Sequence, residues 1–592
     1  MSEIRVPVLI AGGGTVGLSA ALFLACQGVA AMVVESEPGP SAHPRATGLG
    51  PRTVEFLRQA GLQEAVDAVA IDMSAGLGKI SATTLAAADL AGLPRAVPAG
   101  TGWRADQVSP AVIRGTCPQH RLDAVLLPAA REQGATVRHS ARLISFEQDA
   151  DGVTAVLGDG EVVRADYLVA ADGVRSEVRT ALGIGTSGPG GLGSPKVNIL
   201  FRADLGPYTR GLSFVTCNIT NPESPGMLMT VDGEKEWIFH TDYDPDAGQT
   251  PADFTPERCR ALIRAAVGAP GLEVEVVSTL PWRPRGLLAD RFRAGRVFLA
   301  GDAAHAVPPL GAFGLNTGMA DAHNLAWKLA AVLAGRAGPG LLDSYQAERR
   351  PVAAQTLEQA LLRLTDPRLH WGTGPEAAAA RAAAGAVHAP VVHMGYRYDS
   401  AAVIDPRPEP PSTEDVQLDL DGSPGSRLPH LWVERDGHRI STLDLVRSEF
   451  TLLTGAGGNE WLSAAQDAGD RLGVNLTAHR ITPIPTFPTN TPTDTLASTP
   501  TDVTTGAGAG ADVTAEPDTD VTADADTATD VIDPEDAGCA APVSPRTAHC
   551  SCGPTSSSPG ARPGCPSTRP TSWRRRSPAC SPAQTTRDTN HP

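Results

Sequence analysis

Residues 6–35 read VPVLIAGGGTVGLSAALFLACQGVAAMVVE, and this stretch decides the fold. Residues 6–11 form a short apolar run, which is typical of a β-strand buried on both faces. The apolar residues after Gly17 predict a helix to about Gln27, with Gly28 as its C-terminal cap. Residues 30–34 predict a second strand. Strand, glycine turn, helix and strand in this order predict a βαβ unit that binds a dinucleotide.

The glycine pattern G-x-G-x-x-G supplies what a pyrophosphate needs. Gly12 permits the tight turn, Gly14 lets the backbone approach the phosphates, and Gly17 lets the helix pack on the strand. The helix N-terminus, which includes Val16, offers free N–H groups and a partial positive charge. Glu35, 18 residues after Gly17, is placed to accept hydrogen bonds from a ribose hydroxyl.

The same glycine pattern occurs again at residues 183–188, where the sequence reads GIGTSG. Pro189 and two glycines follow it where a helix would have to start. We therefore predict that this second copy is a loop and binds no nucleotide.

Two later motifs place an aspartate at the end of a short apolar run. They are Asp172-Gly173 and Gly301-Asp302. A carboxylate at the end of a strand suits the hydroxyls of a ribityl chain, because a charge-assisted hydrogen bond contributes about 1.5–3 kcal/mol. These motifs indicate that the dinucleotide carries a flavin.

The residues after Asp302 predict a second helix N-terminus near the same place. Residues 317–334 carry apolar side chains at helical spacing and end at Gly335. Pro308 and Pro309 lack N–H groups, which leaves carbonyl groups facing whatever lies beside them. The positive end of the helix would favour negative charge on a reduced isoalloxazine ring.

These three motifs, with the block GDAAHAVPPLGAFGLNTGMADAHNLAWKL at residues 301–329, carry a family resemblance. The chain resembles the class A flavoprotein monooxygenases of the para-hydroxybenzoate hydroxylase fold over residues 6–474. More narrowly, it is similar to the aromatic polyketide hydroxylases, with rifampicin-type monooxygenases as relatives.

The resemblance implies roles for individual residues. Arg45 and Gln119 resemble flavin contacts, Asp172 and Gly173 resemble a motif that serves both FAD and NAD(P)H, and Asp302 resembles the ribityl ligand. The candidate catalytic residues are Pro309, Gly314, Leu315 and Asn316. They resemble the backbone segment that surrounds the edge of the flavin in the family. Gly314, Leu315 and Asn316 are also candidate cofactor-binding residues.

The resemblance also implies an activity. NADPH or NADH reduces bound FAD, O₂ adds to give a flavin C4a-hydroperoxide, and a polycyclic aromatic polyketide is hydroxylated in antibiotic or other secondary-metabolite biosynthesis. No metal is expected. Alternatives on the same scaffold are a Baeyer–Villiger or rifampicin-type oxygenase and an inactive flavin-binding protein.

Some candidate residues have plainer interpretations. Arg45 is also explained as a surface charge, although we favour a ligand. His305 follows a strand end, so a turn cap or phosphate contact is favoured over a catalytic base. Ser176 and Arg179 fit a helix cap and an exposed charge as well as a functional role. Candidate pocket walls that are more simply core residues are Met227, Met229, Trp237 and Phe239.

The fold class is α/β, in the multidomain α+β sense, with a Rossmann-like FAD domain. The predicted parts are the first part of the FAD-binding domain at 1–175, a substrate-binding sheet domain at 176–281, the second part of the FAD-binding domain at 282–390, a thioredoxin-like C-terminal domain at 391–480 and a low-complexity, disordered tail at 481–592. The C-terminal domain is interpreted as structural, since no cysteine lies between Cys259 and Cys539 for dithiol chemistry.

Composition restricts partners and location. The net charge of −17 argues against nucleic acid or anionic membrane as a partner, and no signal peptide is visible, so a cytoplasmic protein is expected. The resemblance implies a small aromatic molecule as its substrate. Residues 481–536 hold 12 acidic residues and no Lys or Arg, whereas residues 537–592 hold seven Arg and one Asp. This abrupt change suggests an out-of-frame translation beginning near Gly538.

Overall fold

The structure, a computed structural model, describes residues 4–73, 76–93, 105–111, 113, 115–372, 374–436, 438–447, 449–482 and 527–530. The chain divides into two units, Met1–Cys539 and Ala540–Pro592, and all described residues belong to the first.

The strands and helices follow in chain order. The strands are β1 (Ile4–Ala11), β2 (Ala31–Val34), β3 (Ile71–Asp72), β4 (Leu77–Ala82), β5 (Gly115–Thr116), β6 (Thr136–Arg138), β7 (Leu143–Gln148), β8 (Val153–Leu157), β9 (Val162–Ala170), β10 (Thr186–Gly191), β11 (Lys196–Arg202), β12 (Phe214–Ile219), β13 (Gly226–Thr230), β14 (Glu236–Asp242), β15 (Glu275–Trp282), β16 (Arg285–Ala289), β17 (Arg293–Ala294), β18 (Val297–Leu299), β19 (His305–Ala306), β20 (Trp432–Arg435), β21 (His438–Ser441), β22 (Phe450–Thr454), β23 (Leu476–Ile481) and β24 (Thr527–Asp530). The α-helices are α1 (Thr15–Cys26), α2 (Pro51–Gln59), α3 (Gln63–Val69), α4 (Ala105–Val108), α5 (Gln119–Glu132), α6 (Glu177–Ala181), α7 (Gly206–Thr209), α8 (Pro256–Val267), α9 (Phe313–Leu333), α10 (Asp343–Thr365), α11 (Arg368–Trp371), α12 (Gly374–Ala384), α13 (Ala389–Met394), α14 (Val416–Asp419) and α15 (Asn459–Leu472).

The predicted βαβ unit forms the centre of the first sheet. Strands run in the order β17-β18-β9-β1-β2-β6, and β1 pairs in parallel with both β2 and β9. The last four residues of β1 and all of β2 are buried, which explains their continuous apolar sequence. Helices α1 and α9 pack together beside this sheet. The predictions of β1, α1 and β2 are confirmed to within a few residues.

The second sheet has the strand order β15-β11-β14-β13-β12-β4. Its members pair antiparallel, except that β12 and β4 are parallel. One face carries a separate apolar core with α8. A sheet predicted within residues 176–281 agrees with strands β11 to β15. The assignment of all of 1–175 to the FAD-binding domain is corrected, because β4 belongs to this sheet and packs its Leu77 and Ile80 into that core.

Strands β10, β16 and β19 form a small third sheet in that order. It corrects the prediction that residues 183–188 form a loop, since Thr186 and Ser187 start β10 and pair with β16. Gly188 and Gly190 have φ of +115° and +73°, and the pairing shifts register between Ser187 and Gly190. The glycines therefore form an irregular strand, and no helix follows to make a nucleotide site.

The C-terminal sheet has the order β21-β20-β24-β23-β22. Its α15 lies against β22 and β23, which pair in parallel. The predicted disordered tail is corrected at Thr527–Asp530, which pairs with β20 and β23. Alternation of threonine with smaller or polar residues suits an inserted strand there. The remainder of the predicted tail after residue 482 lies outside the described residues.

Across the described part of the chain, no helix is both long enough and apolar enough to cross a membrane. Four cysteines in that part, Cys26, Cys117, Cys217 and Cys259, are free thiols.

Candidate cofactor and active site

The turn between β1 and α1 allows only glycine at two positions. Gly12 has φ +105°, and a Cβ there would lie 2.3 Å from the Ala171 carbonyl oxygen. A Cβ on Gly17 would lie 1.9 Å from the Gly12 carbonyl oxygen. Gly14 differs, because a Cβ on it would meet nothing within 4 Å. The close contacts hold the turn in place while Gly14 faces open space.

The first turn of α1 is free to bind an anion. Its N-cap, Gly14, makes no side-chain cap, and no acidic residue lies in the first turn. The backbone N–H groups and the positive end of the helix therefore face the open space beside Gly14. This arrangement fits a pyrophosphate.

Val16 connects three of the predicted motifs. A Cβ on Gly301 would lie 2.9 Å from Val16 Cγ2, and a Cβ on Gly318 would lie 2.7 Å from the same atom. The Val16 side chain thus fills the space that these two glycines leave. Its own role is packing, and only its backbone belongs to the helix N-terminus.

Glu35 is fixed at the end of β2. Its Oε2 accepts a hydrogen bond from Gly13 N–H (2.7 Å), and its Oε1 accepts one from Glu37 N–H (2.9 Å). A carboxylate has about four lone-pair sites, so Glu35 retains capacity for a ribose hydroxyl.

The segment that carries Arg45 is held against the start of α5. Gln119 N–H donates to the Ala46 carbonyl (2.8 Å), and Gln119 Nε2 donates to Thr15 Oγ1 (2.8 Å). Thr15 Oγ1 in turn donates to Asp123 Oδ1 (2.5 Å). Gln119 thereby reaches the first residue of α1, and its contact with a flavin stays a prediction.

The Arg45 charge acts on two carboxyl groups, those of Asp123 and Asp302. Burial raises the pKa of Asp123 to about 6, against the opposing effects of the Thr15 hydrogen bond and the Arg45 charge. Asp302 is accessible to solvent, yet desolvation by the surrounding protein still raises its pKa, and the charges of His305 and Arg45 oppose this. We call this region the nucleotide groove, defined by Gly14, Glu35, Arg45, Gln119 and Asp302.

Asp172 combines a structural contact with a free oxygen. Its Oδ2 accepts a hydrogen bond from Val178 N–H in α6 (3.1 Å). Its Oδ1 is buried and has no partner among the described residues. Gly173, with φ +81°, makes the turn that follows. A polar group of a cofactor would satisfy the free oxygen.

Ser176 and Arg179 are structural residues. Ser176 caps α6 by accepting from Arg179 N–H (2.9 Å), which confirms the helix-cap interpretation. The alternative of an exposed charge at Arg179 is wrong, because the residue is buried and donates to the carbonyls of Ala303 (2.8 Å) and Val174 (3.0 Å). Arg179 therefore ties the Asp172 and Asp302 turns together.

His305 is part of a buried ion cluster. Its Nε2 lies 2.7 Å from Asp321 Oδ2, and Arg349 Nε lies 2.8 Å from Asp321 Oδ1. Burial alone would raise the pKa of Asp321, but the His305 and Arg349 charges outweigh it and lower the pKa. Asp321 also accepts from Gly301 N–H (3.1 Å). His305 thus supports the Gly301-Asp302 turn, in line with the turn-cap interpretation.

Helix α9 starts earlier than predicted, at Phe313 instead of residue 317. Ala312 precedes it with φ +54° and donates to the Pro309 carbonyl (3.1 Å). Gly314 and Leu315 consequently lie in the first turn, whose N–H groups have no partners within the helix. The residues of the implied cradle therefore lie at a helix N-terminus preceded by a tight turn, and their contact with a flavin stays a prediction.

The Asn316 side chain is committed to the protein. Its Oδ1 accepts from Gly50 N–H (2.7 Å) and Thr53 Oγ1 (2.6 Å). Its Nδ2 donates to the carbonyls of Ala312 (2.6 Å) and Gly48 (3.1 Å). All its hydrogen-bonding capacity is therefore used, so Asn316 offers only its backbone N–H to a ligand.

The second sheet turns its other face toward the segment that carries Arg45. His43 Nδ1 lies 2.8 Å from Ser278 Oγ in β15. Trp237 and Phe239 point the opposite way and belong to the core beneath α8, as the simpler interpretation held. Met227 and Met229 lie on the face toward His43, because they pair across the strands with His240 and Ile238.

Two cavities lie outside the nucleotide groove. An enclosed space of about 10 Å³ lies against Asn316 and Thr317, between Arg52 and Arg349. A surface cleft of about 570 Å³ lies at the ends of β11 and β14, and its lining includes Pro195, Asp242 and Arg283. The smaller space holds about one water molecule, which is too little for a dinucleotide.

Comparison with known proteins adds a family assignment. The family described as FAD binding domain matches residues 5–360, and the family described as aromatic-ring hydroxylase, C-terminal, matches residues 421–495. The tetracenomycin B2 monooxygenase-dioxygenase of Streptomyces olivaceus is 43% identical over 494 residues, covering 81% of this chain and 89% of that protein.

Two solved structures are similar over most of the chain. The flavin-dependent monooxygenase PieE, in complex with FAD and substrate, has a TM-score of 0.71 and 36% identity, covering 81% of this chain and 90% of PieE. A ternary complex of aklavinone-11 hydroxylase with FAD and aklavinone has a TM-score of 0.70 and 38% identity, covering 81% of this chain and 89% of that one. The chain therefore belongs to the FAD-dependent aromatic-ring hydroxylases, the class A flavoprotein monooxygenases of the para-hydroxybenzoate hydroxylase fold.

Proposed function

We propose that this enzyme hydroxylates a polycyclic aromatic polyketide, with bound FAD, NADPH or NADH as reductant, and O₂. The observation that carries the proposal is the convergence of three separate motifs on one groove. The segment that carries Arg45 also contacts, through His43 and Ser278, the face of the second sheet that holds Met227 and Met229. Relatives named for tetracenomycin and aklavinone support a polyketide as the substrate class.

The residues present fit FAD. The uncapped first turn of α1 and the open side of Gly14 would hold the pyrophosphate, with Arg45 nearby as a positive charge. Glu35 would hold the ribose and Asp302 the ribityl chain. The buried, unpartnered Oδ1 of Asp172 is a further acceptor for a polar group of the dinucleotide or of NAD(P)H.

The candidate catalytic set would act through its backbone. When bound, FAD supplies the transfer of electrons from NAD(P)H to O₂ and of one oxygen atom to the substrate. The first-turn N–H groups of Gly314, Leu315 and Asn316 would stabilise negative charge at the edge of the ring system. Pro309 shapes the turn before them, since its carbonyl accepts the Ala312 N–H.

The decisive experiment is a screen of polycyclic aromatic polyketides against the purified, FAD-loaded enzyme. We expect at least one compound to stimulate NAD(P)H oxidation and to gain one oxygen atom as a ring hydroxyl, as followed by product mass spectrometry. A lactone product would instead establish Baeyer–Villiger chemistry. Yellow protein with no substrate-stimulated oxidation across the panel would refute the proposal and favour an inactive flavin-binding protein.

The cofactor assignment has its own test at Asp302. Asp302→Ala removes the only carboxylate at the end of this turn, and we expect the purified variant to retain much less FAD than the unmodified protein. Asp151→Ala is a matched control, because Asp151 is exposed in the turn between β7 and β8. Full flavin content in the Asp302 variant would contradict the assignment.

A further inference from the structure

Four polar side chains on the groove-facing side of the second sheet each have a buried atom without a hydrogen-bond partner among the described residues. We call them the polar cluster, and the atoms are His43 Nε2, Asn198 Oδ1, His240 Nδ1 and Trp282 Nε1. The His43 and Asn198 side chains lie close enough to interact with each other, and an amide oxygen has a second lone pair that this interaction leaves available. The unpaired buried atoms of His240 and Trp282 each cost about 1–3 kcal/mol, which indicates that something else pairs with them. His43 and Asn198 are 8% and 4% exposed.

The four residues are neighbours although they come from distant parts of the chain. Asn198 in β11 lies directly opposite His240 in β14. The His240 and Trp282 rings meet edge to face, with centroids 5.7 Å apart. His43 reaches the same face through its contact with Ser278, 2.8 Å away.

The polar cluster faces the cofactor side of the molecule. His43 is two residues before Arg45, which belongs to the nucleotide groove. The opposite face of the sheet is closed by the core that includes α8. Met227 pairs directly with His240 and lies on the same face. An apolar wall thus stands beside the polar groups, which suits a flat ring system with oxygen atoms on one edge.

The chemistry of the four atoms defines the kind of oxygen they bind. Trp282 Nε1 only donates, and Asn198 Oδ1 only accepts. Burial lowers the pKa of His43 below its usual value and that of His240 to about 4, so both rings are neutral at pH 7. A neutral imidazole nitrogen donates or accepts according to its tautomer. The cluster therefore offers donors and acceptors side by side without a formal charge of its own.

We propose that the polar cluster binds the oxygen substituents of the aromatic substrate, with Asn198 accepting from a ring hydroxyl and Trp282 donating to a ring carbonyl. The preferred substrate is an uncharged hydroxyquinone edge, and its binding sets which carbon of the ring system faces the flavin. This inference rests on the proposed function, because it places the substrate against this sheet.

The test uses the FAD-loaded enzyme and two commercial probes. Quinizarin has both hydroxyl and carbonyl groups on its ring system, whereas anthraquinone has only the carbonyls. Each is titrated into the protein while the absorbance of bound FAD is followed. The variants are Asn198→Leu, which removes the acceptor, and Trp282→Phe, which removes only the N–H. Asn218→Leu is the matched control, since Asn218 is an exposed asparagine on the same face, in β12.

Each variant has a distinct expected result. Asn198→Leu should lower the affinity for quinizarin about tenfold, or about 1.4 kcal/mol, and leave that for anthraquinone within about twofold of the unmodified enzyme. Trp282→Phe should lower both affinities, and Asn218→Leu should change neither. FAD content and melting temperature are measured in parallel, and Trp282→Phe remains informative if Asn198→Leu fails to fold.

Three results would overturn the inference. They are no binding of quinizarin to the unmodified enzyme, unmodified affinities in both variants, and an equal loss for both probes in Asn198→Leu. The proposed function fails separately: if the variants behave as expected but no aromatic compound gains an oxygen atom, the binding site stands and the hydroxylase proposal falls. If the unmodified enzyme hydroxylates a polyketide but the variants bind normally, only the inference falls.

Discussion

Replacing Asn316 by alanine tests whether one buried side chain holds the first turn of α9 in place. The amide is the only side chain that joins this turn to the backbone of Gly48 and Gly50 among the described contacts. The residue is 7% exposed, and Thr53, which also donates to it, is 1% exposed. Water therefore has little access to replace the amide in the variant.

The expected loss follows from the groups left without partners. Gly50 N–H and the Gly48 carbonyl lose their hydrogen bonds, and each unsatisfied buried group costs about 1–3 kcal/mol. The Thr53 hydroxyl can rotate to another acceptor, so it adds little. The Ala312 carbonyl also loses the hydrogen bond that it accepts from the Asn316 amide. We expect the free energy of unfolding to fall by about 3 kcal/mol. FAD affinity should fall as well, because the same turn faces the cofactor.

Urea denaturation of the FAD-free protein measures the first effect, and titration with FAD measures the second. Asn218→Ala is the matched control, since it truncates the same kind of side chain at an exposed position and should change stability by less than about 0.5 kcal/mol. If Asn316→Ala loses no more stability than this control, the four hydrogen bonds do not carry the role assigned to them.

Three further changes probe the site and its supports. Gly14→Ala should leave the melting temperature of the FAD-free protein unchanged, because Gly14 has φ −76° and a Cβ there meets nothing within 4 Å. The added methyl group fills the groove, so the same variant should bind FAD at least about tenfold more weakly. Full FAD affinity would contradict this. Asp123 should lower the free energy of unfolding by up to about 3 kcal/mol as pH rises from about 4 to 6, because its raised pKa lets the folded state keep a proton that the unfolded state has lost. Asp123→Asn should abolish that part of the pH dependence. An unchanged profile of stability against pH would refute the assignment. Asp321→Ala should lower the free energy of unfolding by about 3–5 kcal/mol, because it leaves the buried charge of Arg349 without its carboxylate partner. Thermal and urea unfolding measure this loss. The exposed pair of Arg142 and Glu177 is the control, and Glu177→Ala should change stability by at most about 1 kcal/mol; equal losses in the two variants would show that burial does not matter here.

Local patterns predicted the centre of the fold well. The glycine turn before α1 depends on neighbouring residues, and it is present where the sequence places it. Predictions failed where a segment joins a distant partner. Strand β4 looks like part of the first domain along the chain, yet it pairs with β12, more than 130 residues later. The start of α9 was placed too late because Gly314 and Asn316 are poor helix formers, and contacts with the rest of the protein outweigh that preference.

The candidate site shows the same division. Gly12, Gly14 and Gly17 have recognisable roles because their backbone geometry is local. The sequence could not show that Arg179 is buried against the Ala303 carbonyl, 124 residues away, or that the Asn316 amide is fully used by partners near Gly50. The sequence did not predict the polar cluster, although one signal existed: Asn198 interrupts the apolar middle of β11.

By itself, the sequence determined the βαβ unit, the family and the kind of cofactor, because these depend on short motifs whose spacing is set by backbone geometry. Only the tertiary structure decided which polar groups are satisfied by the protein and which remain open to a ligand. Hydrogen bonding is a property of pairs of atoms within about 3 Å, and those pairs come from residues far apart in the chain. The distinction between Asn316, whose amide is fully paired, and Asn198, whose oxygen keeps a lone pair open among the described residues, is therefore visible only after folding.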